Sequence, residues 1–252
     1  MSRIEKAKSF TALHVKGTPL VLYNAWDAGS AKAIVAGGAK AVATGSWSVA
    51  AAQGYRDGED IPFAFACEIA GRIAATIDVP VTIDFEGGYA EDDGALAANA
   101  RRLLELGIAG INFEDRVVKD AGLYDIDRQA RRIAAIRKAA EAAGLPLFIN
   151  ARTDVFFVGG AEEDGLVEAA LERAKAFAAA GASGLFVPGV AKEASIAKIC
   201  ESASLPVNVM VMDGVPPKAR LAELGVSRIS YGPIPYVEAM RALQQGAEAA
   251  FA

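Results

Sequence analysis

The segments Val79-Pro-Val-Thr-Ile-Asp84 and Gly107-Ile-Ala-Gly-Ile-Asn-Phe113 are short apolar runs, one containing a proline near its start and the other opened by a glycine. Buried parallel strands have such continuous runs of valine, isoleucine and phenylalanine, bounded by glycine or proline. The pattern recurs along the chain, with proline in 18–23, 145–150 and 205–210 and with glycine opening 38–44, 181–187 and 225–231. The sequence therefore predicts eight strands.

Helical segments separate the predicted strands. Residues 97–106, 127–143 and 162–180 carry apolar side chains at three- and four-residue spacing, with charges on the opposite face. Eight strand–helix units in 252 residues are typical of a (βα)8 TIM-type barrel, and we predict a single such α/β domain over residues 1–252. A doubly wound open sheet is the alternative, but it does not require eight evenly spaced units.

The composition narrows the class of function. The net charge is −5 and no run of lysine and arginine is present, which argues against nucleic acid as a partner. No stretch of about 18 apolar residues exists, so a membrane-spanning helix is not expected. Cys67 and Cys200 lie far apart and form no CxxC pair, as expected for reduced thiols in a cytoplasmic protein.

Carboxylates end the third and fourth predicted strands. Asp84 and Glu86 point the same way because side chains alternate along a strand, and Glu114 ends the next strand. Chemistry on a parallel barrel belongs to these ends, and crowded acids are unfavourable unless a cation compensates them. Mg²⁺ fits, since it takes few carboxylates and keeps positions for water and substrate oxygens. Salt bridges are the alternative, and the candidate partners are Arg116, Lys119 and Arg152.

A binding site for an anionic substrate is predicted beside these acids. Arg152 ends the fifth strand, where its guanidinium can bind a carboxylate through two hydrogen bonds. Gly45-Ser46-Trp47 follows the second strand, and its backbone N–H groups can form an anion nest. A metal, an arginine and a nest suit a small 2-oxo acid or dicarboxylate, whose enolate oxygen the metal would stabilise.

Other common catalytic arrangements are missing from the sequence. The single histidine, His14, is expected on a first helix before the first strand, so histidine-based acid–base catalysis is not predicted. Ser46 has no histidine partner for a triad, and no glycine-rich phosphate loop follows a strand. The lack of histidine or cysteine near the acids also argues against zinc.

Four parts of the chain resemble the isocitrate lyase / phosphoenolpyruvate mutase superfamily, and the resemblance runs over nearly the whole length. They are Thr44-Gly-Ser-Trp-Ser48 with Gly54-Tyr-Arg-Asp-Gly-Glu59, Pro80-Val-Thr-Ile-Asp-Phe-Glu-Gly-Gly-Tyr89, Gly110-Ile-Asn-Phe-Glu-Asp115 and Ile149-Asn-Ala-Arg-Thr-Asp154. The resemblance implies a barrel whose final helix is often exchanged between subunits, in homodimers or homotetramers. It also implies Mg²⁺ and catalysis through an enolate of a pyruvate-like fragment.

The resemblance also implies substrate-binding residues. Gly45, Ser46 and Trp47 match positions that bind the 2-oxo acid, and Arg152 matches a position that contacts the substrate. Asn208 matches a substrate contact of the lyase branch.

Metal-binding and loop residues follow from the same resemblance. Asp84 matches the principal metal-side acid, Glu86 replaces the usual aspartate, and Glu114 belongs to the water shell of the metal. Asp57 matches an aspartate of a mobile loop that acts in carbon–phosphorus chemistry.

Two departures from the family pattern concern acid–base residues. The loop 116–124 lacks the Lys-x-Cys-Gly-His lid of the lyases, and Pro188 stands near the end of the sixth strand, where the mutase branch has a histidine. The proton donor is therefore left open between Tyr89, Lys119 and a metal-bound water.

These observations predict a Mg²⁺-dependent lyase that cleaves a carbon–carbon bond next to a 2-oxo acid or its hydroxy-acid equivalent, as methylisocitrate lyase or oxaloacetate decarboxylase does. Decarboxylation needs the least acid–base equipment, so the missing lid residues disfavour it least. One alternative is phosphonopyruvate mutase or hydrolase chemistry, which Asp57 supports and Pro188 opposes. Another is a 2-oxo-acid-binding protein without catalytic activity.

Overall fold

A computed structural model describes residues 1–118 and 122–252 of the chain. The strands are β1 (Leu20–Leu22), β2 (Val42–Ala43), β3 (Val81–Asp84), β4 (Gly110–Glu114), β5 (Phe148–Arg152), β6 (Gly184–Phe186), β7 (Val207–Met210) and β8 (Arg228–Ser230). The helices are α1 (Arg3–Ala12), α2 (Ala28–Ala36), α3 (Ser46–Ala52), α4 (Phe63–Thr76), α5 (Asp93–Glu105), α6 (Ile126–Ala142), α7 (Val155–Val158), α8 (Glu163–Ala179), α9 (Glu193–Ser202), α10 (Lys218–Glu223) and α11 (Ile234–Phe251).

The eight strands form a nearly closed parallel barrel. They lie side by side in the order β1-β8-β7-β6-β5-β4-β3-β2. At the remaining gap, a parallel bridge joins Ala25 to Thr44, and the N–H of Ala25 donates to the carbonyl of Ala43 at 2.7 Å. With at least one helix between each pair of successive strands, the predicted (βα)8 fold is confirmed.

Proline and glycine mark the strands for different reasons. Pro80 and Pro206 directly precede β3 and β7, where no ladder donor is required. Gly107 and Gly181 have left-handed φ angles of 81° and 97° just beyond α5 and α8, where a glycine ends a helix without steric cost. The glycine therefore signals the end of the preceding helix, and the strand begins three residues later.

Helix α1 covers the N-terminal end of the barrel. Phe10 is fully buried, and its ring meets that of Phe148 edge-on with centroids 5.5 Å apart. A Cβ atom at Gly110 would lie 2.6 Å from Cε1 of Phe10, so only glycine leaves room for the ring at the start of β4. Burying such a ring stabilises the fold by roughly 1.5–3 kcal/mol.

His14 belongs to this end of the barrel. It lies two residues beyond the end of α1, and not on the helix as the sequence suggested. Its ring stacks on Phe148 with centroids 3.9 Å apart, and Nδ1 lies 2.8 Å from the carbonyl oxygen of Phe10. Burial lowers the pKa of His14 to about 3, with a further contribution from Arg228. The ring is therefore neutral at physiological pH.

Acidification is expected to destabilise the protein through His14. The unfolded chain binds a proton at this ring below about pH 6.5, whereas the folded chain does so only near pH 3. The stabilisation is complete above the unfolded pKa and is lost as the pH falls towards the folded pKa. Between pH 7 and pH 4 we expect the wild type to lose about 2 kcal/mol more unfolding free energy than His14→Gln. This figure is smaller than the full pKa difference would give, because the ring is only half-buried and solvent screens part of the effect. Urea unfolding of both proteins tests this, and equal losses would contradict it.

Polar side chains fill part of the barrel interior. Arg228 of β8 is only 1% exposed, and its Nη2 donates to Oδ1 of Asn112 at 3.0 Å. Asn150 donates to the same oxygen at 2.9 Å. Burial lowers the pKa of Arg228 to about 9, and the negative charge of Asp84 opposes this shift. A buried cation therefore lies within electrostatic reach of the end of β3.

The final helix, α11, exposes an apolar face. Val237, Met240 and Leu243 recur at three-residue spacing, and Leu243 is 66% exposed. A groove of about 1240 Å³ lies beside this helix, and its wall includes Leu13 and Ile34. Across residues 1–118 and 122–252, none of the helices has the length and apolar character that a membrane crossing requires.

Candidate active site

The C-terminal ends of β3, β4 and β5 bring predicted site residues together. In the sheet register, Glu114 pairs with Arg152 and Asp84 pairs with Asn112. Nη1 of Arg152 lies 3.0 Å from Oε2 of Glu114 and 4.0 Å from Oδ2 of Asp84. Two of the three predicted carboxylates therefore share one guanidinium group.

The paired donors of Arg152 bind a protein carboxylate. Nε donates to Oδ1 of Asp154 at 2.6 Å and Nη2 donates to Oδ2 at 2.9 Å. We expected these donors to bind a substrate, but Asp154 is fully buried and needs a charged partner of its own. Burial alone would lower the pKa of Arg152, but the negative charges of Glu114 and Asp154 outweigh it and raise that pKa. Arg152 therefore stays charged, with Nη1 directed to the acids.

Asp84 is held by the first turn of α3. Its Oδ2 accepts hydrogen bonds from the hydroxyl of Ser46 at 3.1 Å and from the N–H of Ser46 at 3.3 Å. This N–H belongs to the predicted anion nest, so in this structure the nest binds Asp84. The other oxygen, Oδ1, is buried without a hydrogen-bond partner among the described residues. Burial raises the pKa of Asp84, and Arg152 opposes the shift.

Glu114 is buried against Arg152. Burial raises its pKa well above the usual value. The positive charge of Arg152 lowers this pKa, but Asp154 and Asp84 raise it again. When ionised, Asp84, Glu114 and Asp154 thus carry three negative charges against the two positive charges of Arg152 and the nearby Arg228, and a further cation would balance the remaining charge.

Glu86 uses both of its carboxylate oxygens within the protein. Oε2 accepts the N–H groups of Gly58 at 3.0 Å and Glu59 at 2.8 Å, and Oε1 accepts the hydroxyl of Tyr89 at 2.9 Å. Burial raises the pKa of Glu86 to about 7, and Asp84 and Asp57 add to the shift. The role of Glu86 as a metal ligand stays a prediction.

Of the two side chains predicted as proton donors, Tyr89 and Lys119, the structure describes only Tyr89. The hydroxyl of Tyr89 donates to Glu86, and burial together with that carboxylate raises the pKa of Tyr89 far above its usual value. A phenol in this state is a hydrogen-bond donor and a poor acid. Lys119 lies outside the described residues.

Asp57 lies in the segment between α3 and α4. Its side chain is exposed, yet its negative charge contributes to the raised pKa of both Asp84 and Glu86. Gly58 and Glu59, which follow Asp57, both donate backbone N–H groups to Glu86, so the chain next to this predicted catalytic aspartate contacts the turn after β3.

The remaining predicted residues lie beside the carboxylates around Arg152 or deeper in the barrel interior. Gly45 directly precedes α3, and Trp47 is 42% exposed with its ring edge-on to Tyr236 of α11. Asn208 is buried in the barrel interior, where its side chain exchanges hydrogen bonds with Ser230. Their substrate-binding roles stay predictions.

Sequence reasoning missed a second buried layer around Arg152. Asp115 accepts the N–H of Asp154 at 3.0 Å and Nη1 of Arg173 at 3.0 Å. Burial raises the pKa of Asp115 to about 6, and Arg173 opposes the shift. Asp154 lies two residues after Arg152 and Asp115 directly follows Glu114, so both were visible as acids at strand ends. The partner of Asp115 was not visible, because Arg173 comes from α8.

The carboxylates fit a magnesium ion bound by few protein ligands. Within residues 1–118 and 122–252, no group of three or more His, Cys, Asp or Glu side chains is arranged to bind a metal. Mg²⁺ commonly needs only one or two carboxylates and completes its shell with water and substrate. Oδ1 of Asp84 is a buried acceptor of the required kind. A cavity of about 30 Å³ adjoins Asp84, and its wall also includes Ser46 and Glu86.

Comparison with protein families matches residues 10–251 to phosphoenolpyruvate phosphomutase. Among solved structures, the chain resembles a Burkholderia cenocepacia J2315 protein provisionally designated a phosphonomutase. The two share 48% sequence identity and a TM-score of 0.94, over 97% of this chain and 99% of the other.

Two curated relatives are more distant. An uncharacterized protein of Mycobacterium tuberculosis (strain ATCC 25618 / H37Rv) is 33% identical over 241 residues, which cover 96% of this chain and 88% of the relative. The 2-methylisocitrate lyase of Escherichia coli (strain K12) is 27% identical over 257 residues, covering 98% of this chain and 84% of the relative.

Proposed function

The chain belongs to the phosphoenolpyruvate phosphomutase family, and on that premise we propose that it is a Mg²⁺-dependent lyase for a small 2-oxo acid or a related hydroxy acid. One observation carries the proposal. Oδ1 of Asp84 is buried and has no hydrogen-bond partner among the described residues, whereas Oδ2 of the same carboxylate lies 4.0 Å from Nη1 of Arg152. A buried, unpartnered carboxylate oxygen is costly, and a divalent cation offsets that cost.

Different residues around Asp84 would bind the metal ion and the substrate. Asp84 would hold the ion, and Glu114 would bind water in its shell. When bound, Mg²⁺ would stabilise the negative charge that develops on the substrate carbonyl oxygen as the carbon–carbon bond breaks. Nη1 of Arg152 and the hydroxyl of Ser46 would bind the substrate carboxylate, since both already point to a carboxylate oxygen.

Oxaloacetate decarboxylation is the reaction that this set of residues supports best. Its bond-breaking step releases CO2 and needs no proton donor or acceptor from the protein. Tyr89 has a raised pKa and already donates to Glu86, so it is poorly suited to acid catalysis. Lys119 stays a candidate for reactions that require one.

Phosphonopyruvate chemistry is the second candidate. Asp57 lies close enough to Asp84 to raise its pKa, and an aspartate carboxylate is a known nucleophile in phosphoryl transfer. The solved structure with 48% identity is provisionally designated a phosphonomutase. Pro188 still opposes this candidate, because the histidine of the mutase branch is missing.

A substrate panel separates these candidates. The purified protein would be assayed with oxaloacetate, 2-methylisocitrate and phosphonopyruvate, with Mg²⁺ and with EDTA. Asp84→Asn protein serves as the blank, because it corrects for the slow metal-dependent decay of oxaloacetate in solution. Mg²⁺-dependent pyruvate formation from either carbon substrate supports the lyase. Turnover of phosphonopyruvate alone supports the second candidate, and oxalate binding without any turnover indicates a non-catalytic binding protein.

We also propose that the chain forms homodimers or homotetramers through α11. The exposed apolar face of this helix and the groove beside it support an interface. The structure contains one copy of the chain, so exchange of the helix between subunits stays part of the proposal.

Leu243→Glu is expected to lower the oligomeric state. A charge at the most exposed aliphatic side chain of this face would have to be desolvated in the interface. Light scattering at micromolar concentration should give the mass of a smaller species, whereas Gln245→Glu, a matched change on the same helix, should leave the mass unchanged. A wild-type protein that is monomeric throughout this range would rule the interface out.

A further inference from the structure

We propose that Glu86 is a positioning residue that fastens residues 53–62, the segment between α3 and α4, over the C-terminal end of the barrel. This segment, called here the α3–α4 loop, contains Asp57. The inference deepens the proposed function and rests on its second candidate, phosphonopyruvate chemistry, only for the chemical role of Asp57.

The α3–α4 loop and the turn after β3 exchange hydrogen bonds in both directions. Glu86 of the turn accepts the N–H groups of Gly58 and Glu59 at 3.0 and 2.8 Å. Glu59 of the loop accepts the N–H of Tyr89 in the turn at 2.7 Å. Each carboxylate therefore binds the backbone of the other segment, which fixes their relative position more firmly than one contact would.

The backbone at this junction is strained. Among the described residues, three non-glycine residues have positive φ angles, and these are Glu59 at 58°, Glu86 at 49° and Tyr89 at 56°. Left-handed conformations are unfavourable for such residues and persist only where surrounding contacts enforce them. All three take part in the reciprocal hydrogen bonds. The strain and the bonds thus belong to one local structure.

Close packing on the other side of the turn limits its movement. A Cβ atom at Gly87 would lie 2.8 Å from Cγ2 of Val118 and 3.1 Å from Oε1 of Glu59. The turn is therefore enclosed between the α3–α4 loop and the segment that follows β4. A loop bound to this turn takes its position from β3, which also carries Asp84.

The length of the Glu86 side chain matters for this contact. An aspartate at this position would withdraw the carboxylate by roughly 1.5 Å, the length of one carbon–carbon bond. The N–H to oxygen distances would then exceed 4 Å, beyond hydrogen-bond range. Glutamine would keep one carbonyl oxygen at the same reach and lose the charge.

Hydrogen exchange of the metal-free protein tests the contact without any assay of activity. Peptides that include residues 58 and 59 should exchange at least tenfold faster in Glu86→Asp than in the wild type, and less than threefold faster in Glu86→Gln. Asp60→Asn, a carboxylate of the same loop bonded to Arg56, should leave exchange unchanged. Peptides from β5 report global folding in every variant. Unchanged exchange at 58 and 59 in the folded Glu86→Asp protein would overturn the proposal.

Calorimetry with Mg²⁺ alone separates this role from that of a metal ligand. A positioning residue predicts a change of less than threefold in Mg²⁺ affinity for Glu86→Gln. A loss of tenfold or more, with exchange at 58 and 59 unchanged, would assign Glu86 to the metal and contradict the proposal.

A double-mutant cycle tests the link to Asp57 with phosphonopyruvate, the panel substrate for which Asp57 has a proposed role. Glu86→Asp should lower kcat about tenfold in the wild type and less than twofold in Asp57→Ala, with KM changing less than kcat. Equal effects in both backgrounds would show that Glu86 does not act through Asp57. If no substrate turns over, the proposed function fails, whereas the exchange experiment still decides the role of Glu86.

Discussion

Asp84→Asn is expected to abolish Mg²⁺-dependent turnover, with kcat/KM at least about 10³-fold lower, because an electrostatic contribution of several kcal/mol disappears with the metal. The amide keeps the volume of the side chain and can still accept hydrogen bonds from Ser46. Burial raises the pKa of Asp84, so its charge is unfavourable in the metal-free fold. The melting temperature of the metal-free variant should therefore equal or exceed that of the wild type.

Asp127→Asn provides the matched control for this prediction. Asp127 lies in the first turn of α6 with its side chain exposed, and its replacement should leave turnover and oxalate binding unchanged. Calorimetry with oxalate, an enolate mimic, gives a readout even before the substrate is known. Wild-type affinity for oxalate and Mg²⁺ in Asp84→Asn would remove the basis of the proposed function.

Arg152→Ala is expected to cost about 3–5 kcal/mol of unfolding free energy, because it leaves Glu114 and Asp154 buried without their cation. Arg152→Lys keeps the charge and loses the paired contact with Asp154, so its cost should be smaller, about 1–2 kcal/mol. The lysine should still lower kcat/KM by roughly 10²-fold, since a shift of about 1 Å in a positioning group has effects of this size. Urea unfolding and steady-state kinetics measure the two effects.

Arg137→Lys separates loss of stability from loss of function. Arg137 donates to the carbonyl of Leu147 and to the hydroxyl of Ser183, both at 2.9 Å. These two residues directly precede β5 and β6, at the opposite end of the strands from Asp84. Its replacement should lower stability and leave oxalate affinity within about twofold of the wild type, as expected for independent sites. If Arg152→Ala unfolds at the same urea concentration as the wild type, the acids do not depend on Arg152.

The barrel could be predicted from local sequence because each strand has a local marker. Pro80 and Gly107 show the principle, since one directly precedes a strand and the other follows the end of the preceding helix. The convergence of Asp84, Glu114 and Arg152 follows from the fold, because parallel strands end at the same side of the barrel. Once the strand ends were predicted from the sequence, it followed that these three side chains lie at the same end of the barrel.

Side-chain partners could not be predicted in the same way. Arg152 has several acids within reach, and the choice of Asp154 depends on burial that only the packed structure defines. Glu86 was assigned by strand alternation, but its backbone is left-handed and its side chain turns to the α3–α4 loop. His14 was placed on a helix that ends two residues earlier, because helix ends depend on local capping.

The barrel wall has fewest hydrogen bonds between β1 and β2, the one pair of neighbouring strands that share no ladder in the described chain. Adjacent strands elsewhere share a ladder, whereas in the described chain this contact depends on the bridge between Ala25 and Thr44 and on the amide of Asn24, which donates to the carbonyl of Thr44. Local breathing of a sheet costs least where the fewest hydrogen bonds must break. Thr44 directly precedes Gly45 and Ser46, so we expect the wall to open most easily next to the residues that hold Asp84.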